Sequence, residues 1–188
     1  MSETGTAREP LLKPTLLSHG TVECRDLTAA RRLYTEVLGL EVVQTSAVSL
    51  MLRLNSTTTI ACVQTKGPNT AGLFSHFGLD VETREEVDRA YETVKAHQDE
   101  YGIAKITRPV DQHGTYAFYL QDADGNMWEI LTNPPGGYSY VFEMSDDARA
   151  WREQNQGKDR RETWENSAEN SAENSARKSR SSTSTFWT

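Results

Sequence analysis

The feature that most constrains the fold of this 188-residue chain is an internal duplication. Seven residues after His19 comes Asp26-Leu27-Thr28, a helix N-cap signal, and seven residues after His76 comes Thr83-Arg84-Glu85-Glu86, a capping box. Both landmarks recur at an offset of 57 residues. The first cap opens a helix over 29–38, with Leu27, Ala30, Leu33, Tyr34, Val37 and Leu38 at helical spacing, and Gly39 closes it. Extended runs follow at 40–44, 49–54 and 58–64, broken by Thr45-Ser46 and Asn55-Ser56-Thr57. The second cap opens a helix through His97 that ends near Gly102, with Val87, Ala90, Tyr91 and Val94 on one face. Extended runs follow at 104–107, 115–121 and 126–132, the last two joined by the turn Asp122-Ala123-Asp124-Gly125. The pattern predicts an α+β fold of two βαβββ modules, 15–66 and 73–133, forming a cup-shaped mixed sheet, with Lys66-Gly67-Pro68-Asn69 in the connector.

Each module is expected to begin with a strand that carries a histidine mid-way. The first strand is placed at 15–25 around His19, and the second-module strand runs through Phe74-Ser75-His76-Phe77-Gly78-Leu79. Successive side chains of a strand point to opposite faces. Phe77, Leu79 and Val81 then pack on the helices while His76, Gly78 and Asp80 face the other way, and Trp128 and Ile130 oppose Glu129. His19, His76 and Glu129 are therefore predicted on the open, concave face. Two imidazoles and a carboxylate are the donor set of the facial triad, which leaves positions open on a metal such as Fe(II). Glu129 lies between Trp128 and Ile130 on a strand predicted to be buried, where a carboxylate needs a cation or hydrogen-bond donors. If the turn is symmetric about Asp124, Tyr119 pairs with Glu129, with Cβ atoms roughly 5 Å apart. His113 shares that parity, and Tyr116 goes to the core. Asp80 and Glu23 are inward by parity, Gln64 and Ala61 compete to face the site from the end of the first module, and His97 is expected to be solvated.

Outside the modules, residues 1–14 read as an arm ended by Pro14. The alternation Tyr138, Tyr140, Phe142 suits an edge strand or a cover for the site, within an extension over 138–164 that holds a short helix at 146–154. Glu-Asn-Ser-Ala occurs three times between Glu165 and Ala176, ahead of a Ser/Thr-rich stretch, so 165–188 reads as a disordered or partner-dependent tail. That tail carries three acids and three bases, so the net charge of −7 belongs to the rest of the chain. Nucleic acid and anionic membrane surfaces need clustered Lys and Arg, and neither is an expected partner. Cys24 and Cys62 are expected to stay reduced. The polar start and the lack of a long apolar run make the cytoplasm the default compartment.

Three stretches carry a resemblance to a known family: Leu17-Ser18-His19 to Asp26-Leu27, then Tyr34-Thr35-Glu36-Val37-Leu38-Gly39-Leu40, and then the long segment from Phe118 through Asp122-Ala123-Asp124-Gly125 to Trp128-Glu129. Together with the paired modules they resemble the vicinal oxygen chelate superfamily, which includes glyoxalase I, extradiol ring-cleavage dioxygenases, fosfomycin resistance enzymes, methylmalonyl-CoA epimerase and metal-free bleomycin resistance proteins. The resemblance covers about residues 15–133, and the domain it implies spans 15–137. It implies metal ligands at His19, His76 and Glu129. Glyoxalase I is similar less closely, because it takes a fourth ligand where this chain has Ala61, Cys62 or Gln64, whereas Gln64 keeps an epimerase-like reading open. His113 and Tyr119 beside a three-ligand site look most like an extradiol dioxygenase. That reading implies Fe(II), with Mn, Ni or Zn as alternatives, a catechol-like substrate and O2. Tyr119 would donate to a substrate oxygen and His113 would move a proton. An O2-independent isomerase, lyase or transferase and a metal-free binding protein stay open. The resemblance further implies a homodimer, in some members with modules exchanged so that His19 of one chain meets His76 and Glu129 of the other.

Overall fold

The duplication is visible in the strand order of a computed structural model, in which the described residues are 11–143 apart from Lys13, Pro68, His113, Pro135 and Gly136. The first module runs β1 (Gly20–Cys24), α1 (Leu27–Arg32) continued by a π-helical turn (Leu33–Val37), β2 (Glu41–Ser46), β3 (Ser49–Arg53) and β4 (Thr59–Gln64). The second runs β5 (His76–Asp80), α2 (Arg84–Ala96), β6 (Lys105–Ile106), β7 (Val110–Gln112), β8 (Thr115–Gln121) and β9 (Met127–Thr132). Each module makes one mixed sheet, in the orders β1-β4-β3-β2 and β5-β9-β8-β6 with β7 also paired to β8. The first and last strands of each module are parallel neighbours, which the intervening helical crossover allows. The fold is thus the expected α+β pair of modules, with two open sheets. No helix among the described residues is long and apolar enough to cross a membrane.

The helix starts follow the caps. Asp26 Oδ1 accepts from the Thr28 and Ala29 amides at 2.7 and 3.1 Å. Thr83 and Glu86 complete a reciprocal capping box at the start of α2. Gly39 adopts φ +68°, as the residue closing the first helix must.

Three regions differ from the sequence expectation. β1 begins at Gly20 and not at 15, because its parallel partner supplies ladder positions only from the Gly20–Ile60 pair onward; His19 lies just ahead of the strand. Next to that pair, Asn55 turns the chain by accepting from the Thr57 and Thr58 amides. The run at 104–107 becomes β6, and a further short strand, β7, follows beyond Arg108-Pro109, since proline has no N–H for the ladder. At that break Thr107 Oγ1 takes the Tyr119 amide at 2.8 Å. Finally, Tyr138 and Phe142 do not lie on an edge strand: Gly137–Ser139 is a 3-10 turn and Tyr140–Glu143 is α3. There the backbone bonds locally, the Gly137 amide donating to Pro134 O at 3.0 Å, and the Tyr138 and Phe142 side chains are exposed. The expected helix at 146–154, the arm before residue 11 and the 165–188 tail lie outside the described residues.

One core serves both modules. Val22, Tyr34, Leu50 and Cys62 from the first join Val87, Phe118, Leu120 and Trp128 from the second in a single buried cluster. Trp128 sits at its centre, with ring centroids 5.4 Å from Tyr34 and 5.6 Å from Phe77. Cys24 and Cys62 are buried and unbridged within it, and burial raises the pKa of both thiols.

A polar clasp completes the junction. The Asn126 amide donates to Glu23 O and to Asp122 Oδ2, both at 2.8 Å, and Arg25 Nε donates to Asp124 Oδ1 at 2.8 Å. The turn between β8 and β9 is therefore bound to the end of β1, across the module boundary. Burial raises the Asp122 pKa, and donors from Asn126, Trp128 and the Asp124 amide partly offset that. Gly125 is required in this turn: its φ is +92°, and a Cβ there would lie 2.4 Å from the Asn69 carbonyl oxygen.

Candidate functional site

The β8–β9 hairpin builds the site by register. Tyr119 pairs with Glu129, Leu120 with Trp128 and Gln121 with Met127, the alignment expected from a turn symmetric about Asp124. Trp128 and Ile130 consequently enter the core while Glu129 points to the other face, where it is only 5% exposed. On the parallel neighbour β5, Phe77 and Leu79 pack against the core. His76 faces the Glu129 side, its Nε2 lying 3.2 Å from Glu129 Oε2. Gly78 pairs with Glu129, and a Cβ there would press on Leu131 Cδ2 at 3.2 Å while only touching Oε2 at 3.8 Å.

Hydrogen bonds fix these groups. His76 Nδ1 lies 2.7 Å from the Leu73 carbonyl. Since a carbonyl only accepts, Nδ1 carries a proton and Nε2 is the atom presented to Glu129. A histidine tied through one nitrogen to a backbone carbonyl, with the other nitrogen facing a carboxylate, is oriented as metal-ligating histidines are. The Tyr119 hydroxyl donates to Glu129 Oε1 at 2.5 Å. Its ring meets the His76 ring edge-on, with centroids 5.3 Å apart. Gln112 Nε2 donates to the Tyr119 oxygen at 2.9 Å and approaches Glu129 Oε1 at 3.4 Å. Tyr119 has one proton, and in this arrangement it is committed to Glu129 and not to a position where a substrate would sit.

The structure thus brings together His76, Tyr119 and Glu129. His19 stands apart from them, exposed ahead of β1, with its Nδ1 2.8 Å from Ser18 Oγ. Among the described residues no three His, Cys, Asp or Glu side chains gather as a metal site would require. His113 lies outside the described residues. Asp80 is engaged with Asn133, accepting from its amide at 3.0 Å. Gln64 is turned to the module junction, donating to Arg25 O at 2.8 Å. His97 is exposed, as expected.

Gln112 is the residue that sequence reading misses. Carrying the Tyr119 parity straight back along the chain to His113 puts Gln112 on the opposite face, whereas the β7–β8 pairing puts it beside Thr115 on the Tyr119 face.

Paired modules of this strand order, with a histidine on the first strand and a glutamate on the last strand of the second module, are the architecture of the vicinal oxygen chelate fold. The chain belongs to the glyoxalase/bleomycin resistance protein/dioxygenase superfamily, whose family model matches residues 16–130. Solved structures share the fold. The fosfomycin resistance protein FosX from Listeria monocytogenes is 19% identical, with a TM-score of 0.55 over 70% of this chain and 100% of that one. A glyoxalase/bleomycin resistance protein/dioxygenase family enzyme from Burkholderia phytofirmans is 21% identical, with a TM-score of 0.53 over 64% of this chain and 100% of that one. FosX from Mesorhizobium loti is 23% identical, with a TM-score of 0.50 over 63% of this chain and 92% of that one. No curated protein matches the sequence.

Proposed function

We propose that the protein is a metal-dependent enzyme acting on a substrate with two neighbouring oxygens, and that its reaction is extradiol-type ring cleavage of a catechol-like compound. The observation that carries the metal reading is the buried convergence of His76 Nε2 and Glu129 Oε2 at 3.2 Å, with the far nitrogen of the imidazole tied to Leu73. His76, Glu129 and His19 would hold the ion, Fe(II) for ring cleavage and Mn, Ni or Zn otherwise. The chemistry such an ion supplies is polarisation of both substrate oxygens and, for Fe(II), electrons for O2. In this reading the Tyr119 hydroxyl orients the Glu129 carboxylate and His113 carries the proton.

His19 reaches the site from a second copy of the chain. Two features support this: His19 is exposed, and the apolar residues flanking it and His76 are exposed too, Leu17 at 87% and Phe74 at 77%. An isologous dimer that exchanges modules covers these side chains and completes two sites. Mixing His19→Ala with Glu129→Gln protein tests the arrangement. Each variant alone is expected to lack the metal site. After mixing and subunit exchange, about a quarter of the wild-type metal content and activity returns, as random pairing of isologous subunits gives. No recovery, together with a monomeric mass by light scattering, contradicts the exchange.

One observation favours a second reading. The Tyr119 proton points at Glu129 and not at a substrate position, which suits an O2-independent isomerase, lyase or transferase on the same ligands. Equal turnover in air and under nitrogen identifies that case.

A further inference from the structure

We infer that Gln112 is a positioning residue of the site. Acting through Tyr119, it fixes which carboxylate oxygen of Glu129 is offered to a divalent ion. The inference rests on the metal-dependent reading above and extends it to a residue on a different strand.

The geometry is a directed chain of hydrogen bonds. Gln112 Nε2 gives a proton to the Tyr119 oxygen at 2.9 Å, and the Tyr119 hydroxyl gives its own to Glu129 Oε1 at 2.5 Å. All three residues are nearly sealed from solvent, Gln112 and Tyr119 at 7% and Glu129 at 5% exposed. The direction is set by chemistry. Glu129 as a carboxylate only accepts, so the tyrosine proton goes to it and the tyrosine oxygen must take its second bond from a donor. The amide group of Gln112 can present only its NH2 here. Turned over, its carbonyl oxygen would stand 3.4 Å from Glu129 Oε1 in a buried, repulsive contact.

The consequence falls on the two carboxylate oxygens. Oε1 is held by the Tyr119 hydroxyl at 2.5 Å, with Gln112 Nε2 at a long 3.4 Å and its short bond made to Tyr119, whereas Oε2 lies toward His76 Nε2. The carboxylate is thereby locked about its terminal torsion, with Oε2 beside the imidazole nitrogen that the Leu73 carbonyl orients. Such outer partners of a ligating carboxylate typically change metal affinity by about 10–100-fold when removed. Tyr119 without Gln112 keeps its bond to Glu129 but loses a 2.9 Å donor to its oxygen, a shorter bond than the 3.4 Å approach of Gln112 to Glu129 itself, so the main effect of Gln112 passes through Tyr119.

The test is Mn(II) affinity by titration calorimetry for the wild type, Gln112→Met, Tyr119→Phe and the double variant, with circular dichroism showing that each is folded. Gln112→Met keeps the side chain's length and removes its donor; Gln112→Ala replaces it if that variant fails to fold. Each single variant is expected to bind Mn(II) about 10–100-fold more weakly. The double variant is expected to bind no more weakly than Tyr119→Phe. Unchanged affinity in the folded Gln112 variant overturns the inference, and so do losses that multiply in the double variant, since Gln112 would then act without Tyr119. A wild type that binds no Mn(II) overturns the metal reading itself, an outcome distinct from both.

Discussion

Glu129→Gln abolishes metal binding while the protein stays folded. The substitution keeps the shape of a side chain only 5% exposed and removes its negative charge. The Tyr119 hydroxyl and the Gln112 amide still meet an acceptor at Oε1, so the hydrogen bonds of this corner survive. What is lost is the anionic oxygen facing His76. Affinity for a divalent ion should fall by more than about a thousandfold, beyond the 10–100-fold that supporting hydrogen bonds typically contribute. Removing a buried charge can stabilise a fold, so the thermal midpoint of the metal-free variant is expected to match or exceed that of the metal-free wild type. Function and stability thus separate at one side chain, as at sites kept for chemistry. Calorimetric titration with Mn(II) and a thermal melt check the two halves. Undiminished affinity with a folded protein places the ion elsewhere.

Trp128→Ala destabilises both modules together. Trp128 is fully buried, packs at a tilt against the Tyr34 and Phe77 rings, and its Nε1 donates to Asp122 Oδ2 at 3.4 Å. Deleting a buried aromatic of this size costs about 3–5 kcal/mol, a large part of the roughly 5–15 kcal/mol that holds a typical domain folded. Because first-module and second-module residues meet in one cluster around this ring, the loss is shared. Urea unfolding should shift to lower denaturant as a single transition. A biphasic curve, with one module unaffected, contradicts the shared core.

Much of this was legible because the signals were local or periodic. Asp26 and the Thr83–Glu86 box mark helix starts by bonds made within three residues, so no tertiary information is needed. The Tyr119–Glu129 register follows from one turn, and the alternation of Trp128, Glu129 and Ile130 then decides which side chains are buried. The less legible parts depend on partners distant in sequence. The start of β1 is set by where β4 begins, and a two-residue period cannot report that. Tyr138 and Phe142 alternate like a strand, but alternation makes a strand only where the backbone pairs with another one, and here it closes on itself in a 3-10 turn and a short helix. Gln112 is not legible from parity, because a continuous strand through His113 would face it away from Tyr119, and only the turn from β7 into β8 brings it to the same face. His19 is the most instructive case. Its residue type and its spacing to the cap mark it as a candidate ligand on a strand at 15–25, yet β1 begins only at Gly20 and leaves it exposed, away from His76 and Glu129; the second chain that would bring it to them belongs to the proposal above.

In the proposed function His76 and Glu129 hold a metal ion used on a substrate with neighbouring oxygens. The most direct test is metal analysis of anaerobically purified protein, coupled to oxygen uptake with a panel of catechols. About one iron per chain, as a single facial-triad site would hold, and oxygen uptake that depends on a catechol are expected. Bound Mn, Ni or Zn without oxygen uptake keeps the site and moves the reaction to the O2-independent branch. No metal, even after reconstitution with Fe(II), contradicts the claim and leaves a small-molecule binding protein on the same fold.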